Sequence, residues 1–284
     1  MASRFWVGSS GPWNTSSNNW AATDGGAAGS ATAPTSVDTV TFSSQSGGGT
    51  VTVASSINVS NSVQSITCGS FTGTLDFSVN NPSIAFTLAT SPNFSISGTG
   101  TRVINLGSAT FTMIGNNGSV WDAATTTNLT LSASLATLVV NTPTNGNTQT
   151  FAGGGLTYGT LSIGARNASG SQIGVTGNNT FNTIGIAAPA VVTFANGSAQ
   201  TISSAFSWNG SSSSQLGISN QGSDSQVTLT CQSGSVISWA YVRGVLFSSG
   251  AGVTATNSFD MGRNTNATIT PPAVGSGGGF VIGS

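Results

Sequence analysis

Histidine, lysine and glutamate are absent from this 284-residue chain, and charge of either sign is scarce: five Arg and six Asp give a net charge of −1. Without a titratable nitrogen there is no Ser-His-Asp triad, no Cys-His pair, no Schiff-base lysine and no Walker-type phosphate loop. Two Cys without His cannot close a zinc shell. So few Arg, balanced by Asp, cannot neutralise a run of phosphates, so nucleic acid is not an expected partner. The loss of Glu and Lys also argues against a helical protein. No run of about 18 apolar residues occurs, so neither a membrane-spanning helix nor a membrane partner is expected. The opening Met1-Ala2-Ser3-Arg4-Phe5-Trp6 lacks the apolar core of a secretory signal, which points to synthesis and folding in the cytoplasm.

What is present is small and polar. Ser, Thr, Asn and Gly together exceed half of the residues. Yet 37% of the chain is hydrophobic and the mean hydropathy is +0.15, too apolar for a disordered chain. Cys68 and Cys231 each lie in a strand-like run and read as two buried thiols; a disulfide closing a long loop is the alternative.

Three segments follow from the pattern. Residues 1–48 form a Trp-rich capping module in which Trp6, Trp13 and Trp20 are spaced by seven, with Gly11-Pro12 and Asn18-Asn19 between them to forbid a helix. They are expected to cap the end of the fold; a sugar-stacking platform is the functional alternative. Residues 49–250 form the body, a procession of short alternating runs such as Thr50–Val53, Thr74–Val79, Thr110–Met113 and Gln226–Leu229. Each has one apolar face and one Ser/Thr/Asn face and stops at Gly, Asn or Pro, the signature of half-buried strands. Residues 251–284 form a C-terminal module and Gly-rich tail, in which Phe280-Val281-Ile282 could dock as an apolar plug on a neighbour.

The body repeats. Leu135-Ala136-Thr137-Leu138-Val139-Val140, Tyr158-Gly159-Thr160-Leu161-Ser162-Ile163 and Phe181-Asn182-Thr183-Ile184-Gly185-Ile186 follow one another at a step of 23, and Val63–Cys68 is an out-of-phase copy. A fixed step that returns a strand to the same place predicts an all-β solenoid, a parallel β-helix with rungs of about 23 residues. Stacked rungs put identical positions about 4.8 Å apart, where small uncharged side chains are tolerated and like charges are not.

Two motifs carry a resemblance. Phe5-Trp6-Val7-Gly8, Trp13, Trp20, Gly25-Gly26, Pro34, Asp38, Val40 and Phe42 resemble the start of β-helical virion proteins of tailed bacteriophages and of some large bacterial surface proteins. Phe194-Ala195-Asn196-Gly197, Gln200-Thr201-Ile202 and the closing Asn257-Ser258-Phe259-Asp260 with Asn264-Thr265 resemble a C-terminal module of the same phage proteins. The resemblance implies an architecture and a virion setting, and no catalytic residue, metal or cofactor. A phage depolymerase would need a carboxylate pair, for which Asp76 and Asp122 are the candidates. Trp121, Trp208, Trp239 and Tyr241 are candidate outer aromatics. The expected function is a non-enzymatic outer capsid decoration or cement protein, a homotrimer binding the major capsid protein or other virion proteins. A tail-fibre adhesin for host surface glycans is the alternative.

Overall fold

The computed structural model describes residues 2–13, 18–53, 56–58, 60–87, 92–115, 117–141, 147–166, 171–222, 225–248 and 252–273. Among them the chain is a β-solenoid built of four sheets and one short 3-10 turn, Ser44–Ser46. A long wall of twelve strands runs from the N-terminal edge to Phe259–Asp260, and a facing wall of nine runs from Ser62–Val63 to Val245–Ser248. Among the described residues every strand pairs in parallel except Ser3–Trp6 against Trp20–Ala21, where the chain folds back over its own first coil; Ser211 and Ser214 form an isolated antiparallel bridge. That antiparallel strand closes the sheet edge which a solenoid otherwise leaves open.

The third side changes place along the axis. In the N-terminal half a five-stranded side wall lies between the long and facing walls, as in the coil Ser65–Cys68, Thr74–Asp76, Ser83–Phe86. In the C-terminal half a four-stranded side wall follows the facing wall instead, as in Ala240–Arg243, Val245–Ser248, Val253–Thr256. Between them the coils of Gln149–Ala152, Thr157–Ile163, Ile173–Thr176 and Thr180–Ile186 have two walls only.

The step of 23 belongs to this two-walled centre and to few other coils. Leu138, Leu161 and Ile184 are register partners in the facing wall, as the repeat requires. The three-walled coils of the N-terminal half are longer, with Ser83, Thr110 and Thr137 stacking at steps of 27, whereas the three-walled coil from Tyr241 to Phe259 takes 18. At the extremes, Gly11 pairs with Val51 across 40 residues and Val253 with Ala267 across 14. Val63–Cys68 is not a rung equivalent to the others: Ser62–Val63 ends in the facing wall and Ser65–Cys68 opens the long wall, so the pattern straddles a corner. Leu135 is 74% exposed and Ala136 takes the inward place, because Ala133 to Ala136 form a turn ahead of the strand. Strand pairing continues across residues 48 and 250: Thr39–Phe42 pairs with Ser65–Cys68 in the long wall, and Val236–Ser238 pairs with Val253–Thr256 in the C-terminal side wall.

The inward columns make one core. Val40, Ile66, Phe94, Trp121, Phe151, Val175 and Phe194 are successive register partners along the long wall, each at 0% exposure. Phe94 stacks on Trp121 at 4.9 Å, and Trp121 lies nearly parallel to Phe151 at 6.2 Å. Burying such side chains contributes roughly 1.5–3 kcal/mol each. Outside, the columns are small: Ser83, Thr110, Thr137, Thr160 and Thr183 form a hydroxyl ladder on the facing wall. Corners use left-handed backbone, supplied by Asn61, Asn81, Asn128, Asn257 and Asn266 as well as Gly.

Candidate functional surfaces

Trp6, Trp13 and Trp20 are each 0% exposed. Their rings meet edge to face, Trp6 on Trp20 at 5.1 Å and Trp13 on Trp20 at 5.0 Å, and all three rest on Phe42. Trp20 Nε1–H donates to the Trp13 carbonyl at 3.1 Å. These indoles cover the N-terminal end of the core and offer no face to a sugar or a partner. Asp38 locks the same end: it accepts from Thr35 N–H at 2.9 Å, Thr35 Oγ1–H at 2.8 Å and Ala2 N–H at 3.2 Å, and pairs with Arg4 Nε at 3.4 Å.

Trp121 is also internal, its Nε1–H donating to Tyr158 Oη at 3.2 Å. A bulge between Ser119 and Trp121 turns both Val120 and Trp121 inward, which simple alternation does not anticipate. Trp208 is 0% exposed and donates to the Ile184 carbonyl at 2.8 Å. Of the expected interaction residues, Trp6, Trp13, Trp20 and Trp121 are thus enclosed in the core, and Phe280, Val281 and Ile282 lie outside the described residues. Trp239 is half-buried at a corner with φ 52°.

The outer aromatic feature is Tyr241 with Phe259. They are register partners on the outer face of the long wall, stacked at 5.2 Å with 14° between planes. Below them in the same column lie Gly217 and Val191, the latter 41% exposed. The signal was available in part: Tyr241 was visible as an outward aromatic, but its pairing with Phe259 needs the register.

The acids do not converge. Asp76 ends a strand of the N-terminal side wall and accepts from Ser78 N–H and Oγ–H; Asp122 ends a strand of the long wall and accepts from Ala124 N–H at 3.2 Å. Asp24 bonds to Ser43, and Asp260 to Gly262 and Asn264. Asp224 lies outside the described residues. Among the described residues no three His, Cys, Asp or Glu side chains gather where a metal could sit. A hollow of about 100 Å³ is lined by Asn105, Gly107, Ser132, Ser134 and Leu135, neutral groups one coil apart.

Two polar residues of the phage-like motifs, Asn196 and Asn264, sit at corners, whereas Phe194, Gln200–Ile202 and Phe259 lie in strands. Asn196 Oδ1 accepts from Ser225 N–H and from Asn220 Nδ2–H, and Asn264 Nδ2–H donates to the Val242 carbonyl at 2.7 Å. One coil earlier, Asn179 bonds to Gln200 at 3.1 Å. These amides tie one coil to the next. Comparison with protein-family models, curated proteins and solved structures finds no match to this chain. The phage resemblance therefore rests on the quoted motifs alone.

Two buried arginines were not singled out by sequence reasoning. Arg102 is 1% exposed and binds four backbone carbonyls, those of Gly100, Thr127, Ile96 and Thr125. Parity could have found it, since Arg102 shares its face with Ile104 and Leu106. Arg166, 4% exposed, lies in a corner where no periodicity applies. Cys68 and Cys231 are both buried and are not joined to each other, and burial pushes the Cys68 thiol up to about 12 despite the opposing charge of Arg102. Among the described residues no helix is long and apolar enough to cross a membrane.

Proposed function

We propose that this protein is a non-enzymatic structural protein of a tailed-phage virion, an outer decoration or cement protein that stiffens the capsid shell. The observation that carries the reading is where the polar motif residues are used: Asn196, through Asn220 and Ser225, and Asn264, through the Val242 carbonyl, bond coil to coil. The outer ladder is small and uncharged. Such a body contributes rigidity and shape, and its partners would be further copies of itself, as a homotrimer, and the major capsid protein or other virion proteins. Counting copies per particle tests this. Hundreds per virion, with weaker heat resistance of particles lacking the protein, is the expected result; absence from particles would sink the proposal.

The Tyr241–Phe259 pair favours a second reading, a tail-fibre adhesin that packs these rings against a host surface glycan. In that case copy number falls to a dozen or so, and Tyr241→Ala weakens binding to host polysaccharide without changing the fold.

A further inference from the structure

An open sheet edge lies part-way along the solenoid. Leu129–Ser132 is the last strand of the five-stranded side wall, and the coil that follows takes a shorter path. A Cβ on Gly154 would overlap the Ala123 carbonyl, and Gly159 N–H donates to the Ala133 carbonyl at 2.8 Å. Residues 154–159 therefore cut straight across beneath a stretch, 123–133, that bows outward to form the strand. The strand is left overhanging.

Backbone and side chains are both uncovered there. The carbonyls of Asn128 and Ser132 accept from Arg102 N–H and Leu106 N–H of the preceding coil, at 3.0 and 2.8 Å. Alternation turns the Leu129 carbonyl, and both the N–H and the carbonyl of Leu131, the other way, where no described group bonds to them. Val51, Leu75 and Ile104, which precede Leu131 in its inward column, are each 0% exposed, but Leu131 and Leu129 are only half-buried. Folded proteins usually blunt such an edge with proline, charge, a bulge or a cover. The other end of this same wall is Gly11–Pro12, and the first edge of the long wall is covered by Trp20–Ala21. Leu129–Ser132 has no proline, charge or bulge.

A strand that continues this wall needs apolar residues two apart, to extend the Leu129 and Leu131 positions, and no charge. Phe280-Val281-Ile282 has that pattern, behind the spacer Gly275-Ser276-Gly277-Gly278-Gly279, in a stretch from Asn264 to Ser284 that carries no charged residue. The chain's own edge is poorly placed to receive it. Thr270, which donates to the Ala255 carbonyl, departs from the opposite flank, five coil steps or about 24 Å along the axis from the place beside Leu129–Ser132. The ten residues from there to Phe280 reach about 36 Å only when drawn out straight, and they must also pass round the body. A neighbouring copy imposes no such detour.

We propose that the Leu129–Ser132 edge takes up Phe280-Val281-Ile282 of a second copy of this chain as an added strand. In either strand direction Val281 comes opposite Thr130 on the outer face, while Phe280 and Ile282 extend the part-buried apolar step of Leu129, Leu131 and Leu156. Each copy gives one tail and receives one, so the contact is heterologous and closes as a ring. The assembly is independent of any virion setting.

Sedimentation of the full chain over a range of concentrations, with disulfide trapping, tests this. Wild type should self-associate, and Phe280→Asp and Ile282→Asp, which lie outside the solenoid body, should each weaken association at least tenfold. Leu131→Pro removes an N–H that the wall does not use and should do the same. An equimolar mixture of Thr130→Cys and Val281→Cys chains should form an interchain disulfide on mild oxidation. Should Leu131→Pro not fold, the tail variants and the trapping decide. A wild type that stays monomeric would overturn the proposal, as would association that survives both tail substitutions. A mixture that forms no mixed disulfide would overturn it too. So would a Thr130→Cys/Val281→Cys double variant that closes only within single chains, since the tail would then dock on its own copy.

Discussion

Replacing Arg102 by Met keeps most of the buried stem and removes the guanidinium. Arg102 Nη1–H donates to the carbonyls of Gly100 and Thr127, both at 3.0 Å, and Nη2–H to those of Ile96 at 2.8 Å and Thr125 at 2.7 Å. The four acceptors belong to two stacked corners that lead from the long wall into the N-terminal side wall. Only the bond to Ile96 is fully buried; the other three are partly so, and their carbonyls can recover water. Leaving one buried acceptor bare costs about 1–3 kcal/mol, and bonds to a charged donor are worth about 1.5–3 kcal/mol each before offsets. Removing the desolvation cost of the charge works the other way, so the net loss is about 3–5 kcal/mol, as for other buried ions that lose a partner. A solenoid transmits such damage mainly to neighbouring coils, so it should appear as local opening. Hydrogen exchange at neutral pH should quicken about 100-fold or more over residues 96–106 and 123–132, since about 1.4 kcal/mol is tenfold. Residues 227–248 should be unaffected. Cys68 gives a second readout: fully buried, its thiol should resist a thiol reagent in the wild type and react in Arg102→Met. Unchanged protection at residues 96–106 would refute the reasoning.

Acid should loosen the N-terminal cap. Burial alone would raise the Asp38 carboxyl, but the Thr35 N–H and hydroxyl, the Arg4 charge and the Ala2 N–H outweigh it and hold it below its ordinary value. With the folded value depressed, the contribution to stability is complete above the unfolded value of about 3.9 and is lost as pH falls through the folded one. Tryptophan fluorescence between pH 6 and pH 2 should report this loss, and Asp38→Asn should show a loosened cap already at pH 6; a cap that tightens on acidification contradicts the sign. Close stacking sets a third expectation. A Cβ added at Gly98 would overlap the Gly69 carbonyl of the coil below, whereas one added at Gly185 meets nothing within 4 Å. Gly98→Ala should therefore lower the urea midpoint by the equivalent of about 1–3 kcal/mol, and Gly185→Ala should stay within about 0.5 kcal/mol of wild type; equal effects would count against the stacking.

Much of the fold was legible because strand alternation and corner chemistry are local. Thr110–Met113 and the Thr137, Thr160, Thr183 column lie where the period-two pattern and the step of 23 place them. The pattern misplaced Trp121 because a bulge breaks its parity, and misjudged Val63–Cys68 because a hexapeptide spanning a corner resembles one lying along a wall. The candidate surfaces were less legible. Tyr241 and Phe259 are 18 residues apart in a chain whose usual step is longer, so only the register unites them. Leu129–Ser132 is an open edge because the next coil cuts across from Gly154 to Gly159, and nothing in the strand's own residues announces it.

The sequence by itself determined that this protein is an all-β solenoid with a covered N-terminal end, because alternation, turn residues and the lack of charge act within a few residues of one another. Tertiary structure alone decided which wall each strand joins, and how the third side passes from one flank to the other. It also decided that one arginine is caged by carbonyls and that one side wall stops at an open edge. Those outcomes depend on how many residues each corner consumes before the chain meets the coil below, a sum over the whole turn that no single segment contains.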